Sequence, residues 1–284
     1  AVGLVGYLSF RNGQKAINDL ANQLLSEVNA RIEEQVDHYL DKPRAVQAMN
    51  LRAIKIGTLN LNPENFERVG KMFWNQAQTF NMTYIGYGTS AGEYIGAGYY
   101  KKTPDLAKSI KPNVDTIYYF SPDELGNPTG KILTQKRGSA IPTEEWYKKP
   151  AAVGRTIWIG ITNWTTEPEQ ISIDISTPLY DDVKKLRGVL CTTISLSYIN
   201  DFLRHLKIGQ TGEAFIMERS GTLVATSSSK LSYRIVKGKA EQVLATESSE
   251  PLIQSTANFL VKKFNGLKNK VCLLKKLLTL SIPI

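Results

Sequence analysis

The hydrophobic pattern of residues 13–57 predicts one long amphipathic helix. Apolar side chains recur every three or four positions from Ile17 onwards, and residues 15–42 contain neither Gly nor Pro. This spacing places the apolar side chains along one face of a helix. Pro43 is expected to kink or break the helix near residue 42, because proline lacks the backbone donor. A helix this long exceeds the needs of one small domain and predicts a stalk, a dimer seam or both.

Strand-like runs dominate the middle of the chain. Residues 156–163, 170–177 and 187–196 are three such runs, and the second alternates isoleucine with serine or aspartate. A period of two marks a strand with one buried face. Two hairpins are expected earlier, within 82–100 and 115–135. Shorter helices are predicted from Asn62-Pro63 to Phe80, at Trp146-Tyr147 and from Ser197. This order of strand-like and helix-like runs therefore predicts an α+β fold with a five- or six-stranded antiparallel sheet.

Composition is that of an ordinary folded protein. The 284 residues are 42% hydrophobic and 21% charged, so the chain can bury a sizeable core in one large or two small domains. The two cysteines, Cys191 and Cys272, lie far apart and are expected to be free thiols. Neither a disulfide framework nor a metal cluster is predicted.

The net charge of +9 does not indicate a nucleic-acid partner. Six lysines near the C-terminus supply most of this excess: Lys262, Lys263, Lys268, Lys270, Lys275 and Lys276. A nucleic-acid-binding protein gathers its basic residues on a folded face, preferably with stacking aromatic side chains. A basic tail of this kind favours no nucleic-acid function.

Motifs of enzymes and cofactor sites are not found. The glycines of 86–92 join two predicted strands and open no helix, so they do not form a dinucleotide loop, and 126–132 lacks the spacing of a P-loop. With two histidines and no triad pattern, acyl-transfer chemistry is not supported. The sequence predicts no cofactor, no metal and no catalytic residue. A soluble hydrolase remains the rival from another functional class.

The first ten residues, AVGLVGYLSF, carry no charge and are followed by Arg11. Ten residues are too few to span a bilayer, but tyrosine and phenylalanine before a basic residue are typical of the interfacial end of a membrane helix. Residues 1–12 are therefore expected to be the end of a truncated membrane anchor. A buried helix or a leftover signal segment is the alternative.

Several segments, in this order, resemble the double Cache domain of bacterial transmembrane receptors. They are TYIGYGTSAGEYIGAG, WYKKPAAVGRTIW, STPLYDDVKKLRGVLCTTISLSYI and KIGQTGEAFIMERSGTLVATS, and the likeness covers about residues 13–265. In that family a long N-terminal helix supports two PAS-like subdomains outside the membrane. The resemblance implies this α+β architecture here, with the second subdomain incomplete.

The resemblance implies five segments. After the anchor end at 1–12, the stalk helix occupies 13–60 and the membrane-distal PAS-like subdomain 61–200. A partial membrane-proximal subdomain follows at 201–265. Residues 266–284 lack strand alternation and are expected to be a basic, aberrant tail.

A ligand pocket in the membrane-distal subdomain is also implied by the resemblance. The residues expected to line it are Ser139, Glu144, Trp146, Tyr147, Thr162, Trp164, Asp174 and Thr193. Trp146 and Tyr147 would do so from their helix, and Thr162 or Trp164 from the facing strand. The assignment of Asp174 to the pocket rests only on its position on the polar face of its strand. Trp146 has a second interpretation as a core residue.

Two positions depart from the amino-acid-binding branch of that family. The branch has an Arg two residues before its Trp-Tyr pair and an Asp in the strand before its Ile-Ser-Leu ending, where this chain has Glu144 and Thr193. A neutral hydroxyl cannot replace the charge that pairs with an ammonium group. The expected ligand is therefore not a free α-amino acid but a neutral or cationic compound, such as an amine or a purine-like molecule.

The resemblance implies a non-enzymatic sensing function. The chain is expected to recognise a small molecule outside the bacterial inner membrane and to pass the signal through its long helix to a kinase, cyclase or chemotaxis output. A homodimer through that helix and membrane attachment through the N-terminal segment are expected. A stalk that binds no ligand is the alternative.

Overall fold

A computed structural model describes most of the chain. The described residues are 2–100, 103–109, 116–137, 141–163, 171–206, 212–218, 220–230, 232–237 and 239–263. They fall into two compact units. The larger contains residues 39–198 and 234–241, and the smaller contains the described residues within 1–38, 199–233 and 242–284.

The N-terminal helix α1 runs from Val2 to Lys55. The break expected near residue 42 is wrong, because the helix continues through Pro43. Only one backbone hydrogen bond is lost at a proline, and the flanking Leu40 and Val46 are buried. Among the described helices, none has an apolar stretch long enough to cross a membrane.

The larger unit is built on one antiparallel sheet. Its strands are β1 Tyr84–Thr89, β2 Tyr94–Tyr100, β3 Thr103–Ser109, β4 Thr116–Pro122, β5 Pro128–Arg137, β6 Ile157–Asn163, β7 Ile171–Tyr180 and β8 Leu186–Ser195. The spatial order is β5-β4-β3-β2-β1-β8-β7-β6. The α+β class is confirmed, but the sheet has eight strands rather than five or six. Strand β3 was not predicted, since its sequence TPDLAKS shows no alternation.

Helix α2, Phe66–Phe80, packs on one face of this sheet. Its buried stripe includes Phe66, Val69 and Phe73, the spacing of one helix face. At Gly70 an added Cβ would lie 3.2 Å from Ile95 of β2, so the helix approaches the sheet closely. The helix ends at Asn81, whose left-handed backbone returns its N–H to the carbonyl groups of the last turn.

Helix α1 packs on the same face of the sheet as α2, where the buried side-chain amide of Gln47 bonds to two strands. Gln47 Nε2 donates to Thr177 Oγ1 of β7 at 2.8 Å and to the Leu190 carbonyl of β8 at 2.9 Å. Thr192 Oγ1 of β8 donates to Gln47 Oε1 at 2.8 Å. These bonds fix α1 to the two strands through one side chain, which we call the Gln47 clamp.

The opposite face of the sheet is covered by helix α3, Glu145–Val153, which packs on β6, β7 and β8. Strand β7 is consequently buried on both sides over Ile171–Pro178. The expectation that only its isoleucine face would be buried is therefore wrong, since Ser172, Asp174 and Ser176 are also buried. This buried polar face contains the candidate site.

The smaller unit has its own core. It contains α4 Leu196–His205 from residue 199 onwards, the hairpin β9 Phe215–Met217 and β10 Leu223–Thr226, and α5 Pro251–Lys263. The strands β11 Tyr233–Val236 and β12 Lys239–Gln242 form a separate hairpin that belongs mostly to the larger unit. Phe215, Leu223 and Ile253 belong to one buried cluster. Gly221, at φ +88°, lies in the turn between β9 and β10. Residues 207–211 and the tail 266–284 lie outside the described residues.

Candidate ligand-binding site

Polar side chains occupy one row across five neighbouring strands, which we call the acidic row. The strand register aligns Asp174 of β7 with Thr193 of β8, Thr193 with Tyr84 of β1, Tyr84 with Gly98 of β2, and Gly98 with Asp105 of β3. All four side chains are buried, and each of the two aspartates is 4% exposed. Tyr84 Oη donates to Asp105 Oδ1 at 2.7 Å. The sheet thus carries a carboxylate at each end of this row.

A second row lies beside it on the same face. It aligns Ser176 of β7 with Cys191 of β8, then Gly86, Gly96, Ala107 and Tyr119 on the following strands. The two central glycines leave a trough in the sheet, because they present no side chain. A Cβ at Gly86 would lie 2.5 Å from Tyr94 Oη, and one at Gly96 would lie 2.6 Å from the same atom. The Tyr94 phenol therefore lies directly on the backbone of the trough.

Helix α3 contributes the aromatic cover. The Trp146 ring lies 6.0 Å from the Tyr94 ring and 5.8 Å from the Tyr147 ring, measured between centroids. At Gly88 an added Cβ would meet Ile141 and would lie 3.0 Å from Trp146. Glycine is thus required where the helix side chains approach β1. This contact seats Trp146 next to the trough.

The backbone of Glu144 starts α3. Glu144 has extended backbone angles, and its carbonyl accepts the N–H groups of Tyr147 and Lys148 at 3.0 and 2.9 Å. The exposed side of the helix carries Glu145, which is paired with Lys148 and Lys149. This single carboxylate offsets one of the two lysine charges at the surface of α3.

Burial keeps the hydroxyl and thiol groups of this face in their neutral forms. Desolvation, then the Asp105 carboxylate, raise the pKa of Tyr84 well above its usual value. The pKa of Tyr94 is raised by burial, then by Tyr119, Cys191, Asp105 and Asp174. Desolvation likewise raises the pKa of the Cys191 thiol, with a smaller contribution from Asp174. Both aspartates of the acidic row therefore contribute to the raised pKa of Tyr94.

Two buried hydroxyl groups of the site lack a regular hydrogen-bond partner. They belong to Tyr147 and Ser176, which are 3% and 0% exposed. The Ser176 hydroxyl also contacts the Cys191 thiol, and this contact lowers the pKa of the thiol against the larger effect of burial. Buried hydroxyls in proteins are usually paired, because leaving one unpaired costs about 1–3 kcal/mol. Among the described residues, these atoms mark where a ligand can supply the missing partner.

The fold brings four of the expected residues to this region: Trp146, Tyr147, Asp174 and Thr193. Glu144 is half-buried at the start of α3. Ser139, Trp164 and the side chain of Thr162 lie outside the described residues, so their roles stay predictions. Sequence reasoning missed Tyr84, Tyr94 and Asp105. The alternation of tyrosine with glycine in β1 and β2 was the available signal for the first two.

The described residues include no group of three or more His, Cys, Asp or Glu side chains that could hold a metal ion. Carboxylates at the ends of the acidic row are separated by a phenol and a hydroxyl. The arrangement is suited to binding a molecule with hydrogen-bonding groups rather than to coordinating one ion.

Comparison with known proteins identifies one family and several solved structures. A family model described as a Cache domain matches residues 13–249. The chain is 15% identical to the ligand-binding domain of the Campylobacter jejuni chemoreceptor Tlp3 in complex with 4-methylisoleucine, with 75% of each chain covered and a TM-score of 0.46. It is 16% identical to the ligand-binding domain of the Pseudomonas aeruginosa PAO1 amino acid chemoreceptor PctC in complex with GABA, with 73% of this chain and 76% of that chain covered and a TM-score of 0.47.

A third similar structure is the ligand-binding domain of Mlp24 with asparagine. It is 13% identical, covers 84% of this chain and 98% of that chain, and gives a TM-score of 0.48. None of the curated proteins matches this chain in sequence.

Proposed function

This chain belongs to the Cache domain family, and we propose that it is the extracytoplasmic sensing module of a bacterial signal-transduction receptor. Its larger unit binds a small molecule on the polar face beneath α3. The chain itself is not an enzyme. The output is a histidine kinase, a nucleotide cyclase or a chemotaxis domain in the cytoplasm.

The observation that carries this proposal is a polar strand face that is fully buried. The Ser176 hydroxyl of this face is 0% exposed and lacks a regular hydrogen-bond partner, although burying a polar group is costly unless it is paired. A purely structural strand between two helical layers would be apolar on both faces. A ligand that hydrogen-bonds to this face would explain why buried positions of the strand are polar.

The ligand is proposed not to be a free α-amino acid. This proposal rests on Glu144, which stands where the resemblance implies a basic residue; Thr193 stands where it implies an acidic one, but Asp174 lies opposite Thr193 on the neighbouring strand. An acidic side chain at position 144 would repel the carboxylate of an amino acid. The amino-acid complexes of Tlp3 and Mlp24 make amino acids the necessary comparison compounds in any binding screen.

Signal transmission is proposed to pass through the Gln47 clamp. Gln47 of α1 is bonded to Thr177 of β7 and Thr192 of β8, and the reverse face of these strands carries Asp174 and Thr193. If a ligand binds one arrangement of β7 and β8 more tightly than another, its binding would favour that arrangement and move α1 together with the two strands. Only such a difference in affinity can bias a receptor between two states.

Attachment and assembly are proposed to use the first turns of α1. Phe10, Ile17, Leu20 and Leu24 are 66%, 64%, 69% and 47% exposed. Their spacing of seven, three and four residues is that of a coiled-coil seam. A second copy of the chain would cover this seam, and residues 1–12 would be the end of a membrane anchor.

A thermal-shift screen of the 284-residue chain against a metabolite library tests the sensing function. At least one small polar compound should raise the melting temperature, because binding to the native state alone stabilises it. The alternative is a stalk that binds no ligand. It would be supported if no compound in the library stabilised the chain. Turnover of a stabilising compound would instead support the remaining alternative, a soluble enzyme.

A further inference from the structure

We propose that the smaller unit is a pH-sensitive switch, in which Glu213 takes up a proton when the surroundings become acidic and thereby tightens the packing of β9 on α5. This input is separate from the ligand site of the larger unit. Because the proposed sensing module lies outside the cytoplasm, it would meet changes of external pH directly.

The Glu213 carboxylate has a buried oxygen atom without a hydrogen bond. This atom, Oε2, finds no donor among the described residues. The backbone beside it is held in place, since the Ala214 N–H donates to Ser227 Oγ at 2.9 Å and the Ser227 N–H donates to the Ala214 carbonyl at 2.8 Å. Burial of a carboxylate oxygen without a donor favours the protonated form of the group.

The neighbouring carboxylate, Glu250, is well partnered. Its Oε1 accepts a hydrogen bond from the Ser228 hydroxyl at 2.9 Å and lies 3.4 Å from Lys230 Nζ. Glu250 also directly precedes α5, where the N-terminus of a helix favours a negative charge. Of the two carboxylates, Glu213 is therefore the one that gains from a proton.

Two charged groups act on Glu213, in opposite senses. Burial raises the pKa of Glu213 most, the Glu250 carboxylate raises it further, and Lys230 lowers it. Strands β9 and β10 carry no charged residue. The charged and titratable groups at the end of α4 are bonded to one another; they are Asp201, Arg204 and His205. Glu213 therefore takes up its proton above the ordinary pKa of 4.5.

The two carboxylates lie next to one shared core. Glu213 precedes Phe215 of β9 by two residues, Glu250 precedes Ile253 of α5 by three, and Phe215 and Ile253 belong to the same buried cluster. An ionised Glu213 opposes this packing through its unpaired oxygen and through repulsion from Glu250. Protonation removes both effects, so the packing tightens as the pH falls through the folded-state pKa and loosens as it rises.

Hydrogen exchange of the 284-residue chain, measured by mass spectrometry between about pH 4.5 and pH 8, tests the switch. Labelling times are scaled to equal chemical exchange at each pH. Peptides of β9 and α5 should exchange about two- to fivefold more slowly at the acidic end. Peptides of β1 and β8, in the larger unit, are the internal reference and should not follow this transition.

Glu213→Gln imitates the protonated carboxyl group. It should keep the slow exchange of β9 and α5 at neutral pH and abolish the transition. Glu33→Gln, at an exposed position on α1, is the matched control for removing one carboxylate and should keep the transition of the parent chain.

Two further variants test whether the neighbours set the pH of the transition. Glu250→Gln retains an oxygen that accepts the Ser228 hydrogen bond but removes the repulsion, so the midpoint should move to lower pH. Lys230→Gln removes the attracting charge, so the midpoint should move to higher pH. Each shift should be about 0.3 pH unit or more. A purely structural role would change the protection at every pH and leave the midpoint in place.

The switch is supported if the transition is confined to the smaller unit, is lost in Glu213→Gln and moves in opposite directions in the two neighbour variants. It is overturned if β9 and α5 exchange equally at every pH, if the larger unit follows the same transition, if Glu213→Gln retains it, or if the midpoint stays fixed. No ligand is used, so a chain that fails this test can still be stabilised by a metabolite and remain a sensing module.

Discussion

Asp174 of β7 is the direct cross-strand partner of Thr193 of β8. The resemblance implies a carboxylate at position 193, and the sheet has one on the neighbouring strand instead, on the same buried face. Because opposite residues of an antiparallel pair have Cβ atoms about 5 Å apart, an acidic group is present near the expected place. The charge at this point of the face is therefore retained, although the residue that would carry it differs.

This pairing predicts that Thr193→Asp destabilises the chain. Two buried carboxylates would then face each other across the strands, and like charges directly opposite are unfavourable. The free energy of unfolding at pH 7 should fall by about 1–3 kcal/mol in chemical denaturation. The double variant Thr193→Asp/Asp174→Asn should recover most of this loss. Equal stability of the single and double variants would show that the two positions do not interact.

The glycine trough predicts that Gly96→Ala displaces Tyr94. The added Cβ would lie 2.6 Å from Tyr94 Oη and 2.5 Å from Tyr84 Cε1, so at least one ring must move. Overpacking of this kind costs about 1–3 kcal/mol, and ligand binding should weaken as well. Gly13→Ala is the control, since its Cβ would meet no atom within 4 Å. A Gly96→Ala variant with unchanged stability and binding would contradict the described position of Tyr94.

The Gln47 clamp predicts that Gln47→Leu loosens α1 from the sheet. The substitution removes three hydrogen bonds and leaves the Thr192 hydroxyl without its partner. Unfolding by urea should show a loss of about 1–3 kcal/mol. Gln23→Leu on the exposed side of the same helix should cost far less. In a receptor that carries an output domain, the clamp variant should bind ligand but signal weakly; a normal response would exclude the clamp from transmission.

Replacing Glu213, in the smaller unit, is expected to stabilise the chain by an amount that depends on pH. Burial, then the neighbouring Glu250 carboxylate, raise the pKa of Glu213 above its ordinary value of 4.5, with Lys230 acting in the opposite sense. A raised carboxyl pKa favours folding while the group is protonated, and that contribution is lost as the pH rises through the folded-state pKa. Glu213→Gln should therefore stabilise the chain at pH 7 by about 0.5–1 kcal/mol.

Thermal melts from pH 3.5 to 7.5 measure this effect. The advantage of Glu213→Gln should disappear below pH 4, where both states of the parent chain are protonated. Glu33→Gln, an exposed position on α1, is the control for removing one carboxylate from the chain. A constant difference between Glu213→Gln and the parent chain at every pH would contradict the assignment.

The exposed seam on α1 predicts a dimer that charge can disrupt. Leu20→Glu/Leu24→Glu should convert a dimer to a monomer in sedimentation velocity, because each copy would bury acidic groups opposite one another. Asn18→Glu/Asn22→Glu adds the same charge to the same turns away from the seam and should leave the dimer intact. A parent chain that stays monomeric at high concentration would refute the seam.

Much of the fold could be predicted from the residues alone. The alternation of β7 and the helix-like spacing of α1 follow directly from side-chain periodicity. The continuation of α1 through Pro43 could not be predicted, because it depends on the burial of Leu40 and Val46, which offsets the backbone hydrogen bond that proline cannot donate. Strand β3 was missed since its polar residues and Pro104 obscure the period of two.

The candidate site was less predictable than the fold. A period of two identifies a polar face of β7 but cannot say whether water or α3 covers it. Asp105 and Asp174 are far apart in sequence, and only the strand register brings them into one row. Trp146 and Tyr147 were indicated by resemblance, whereas the role of Tyr94 depends on two glycines on separate strands.

The most direct test of the central claim is a crystal structure of the chain with its most strongly stabilising compound. The account predicts electron density for that compound on the polar face, next to Trp146 and Tyr94, with polar atoms within hydrogen-bond distance of Asp174 and Ser176. Density for the compound at another place, with this face unchanged, would contradict the proposed site.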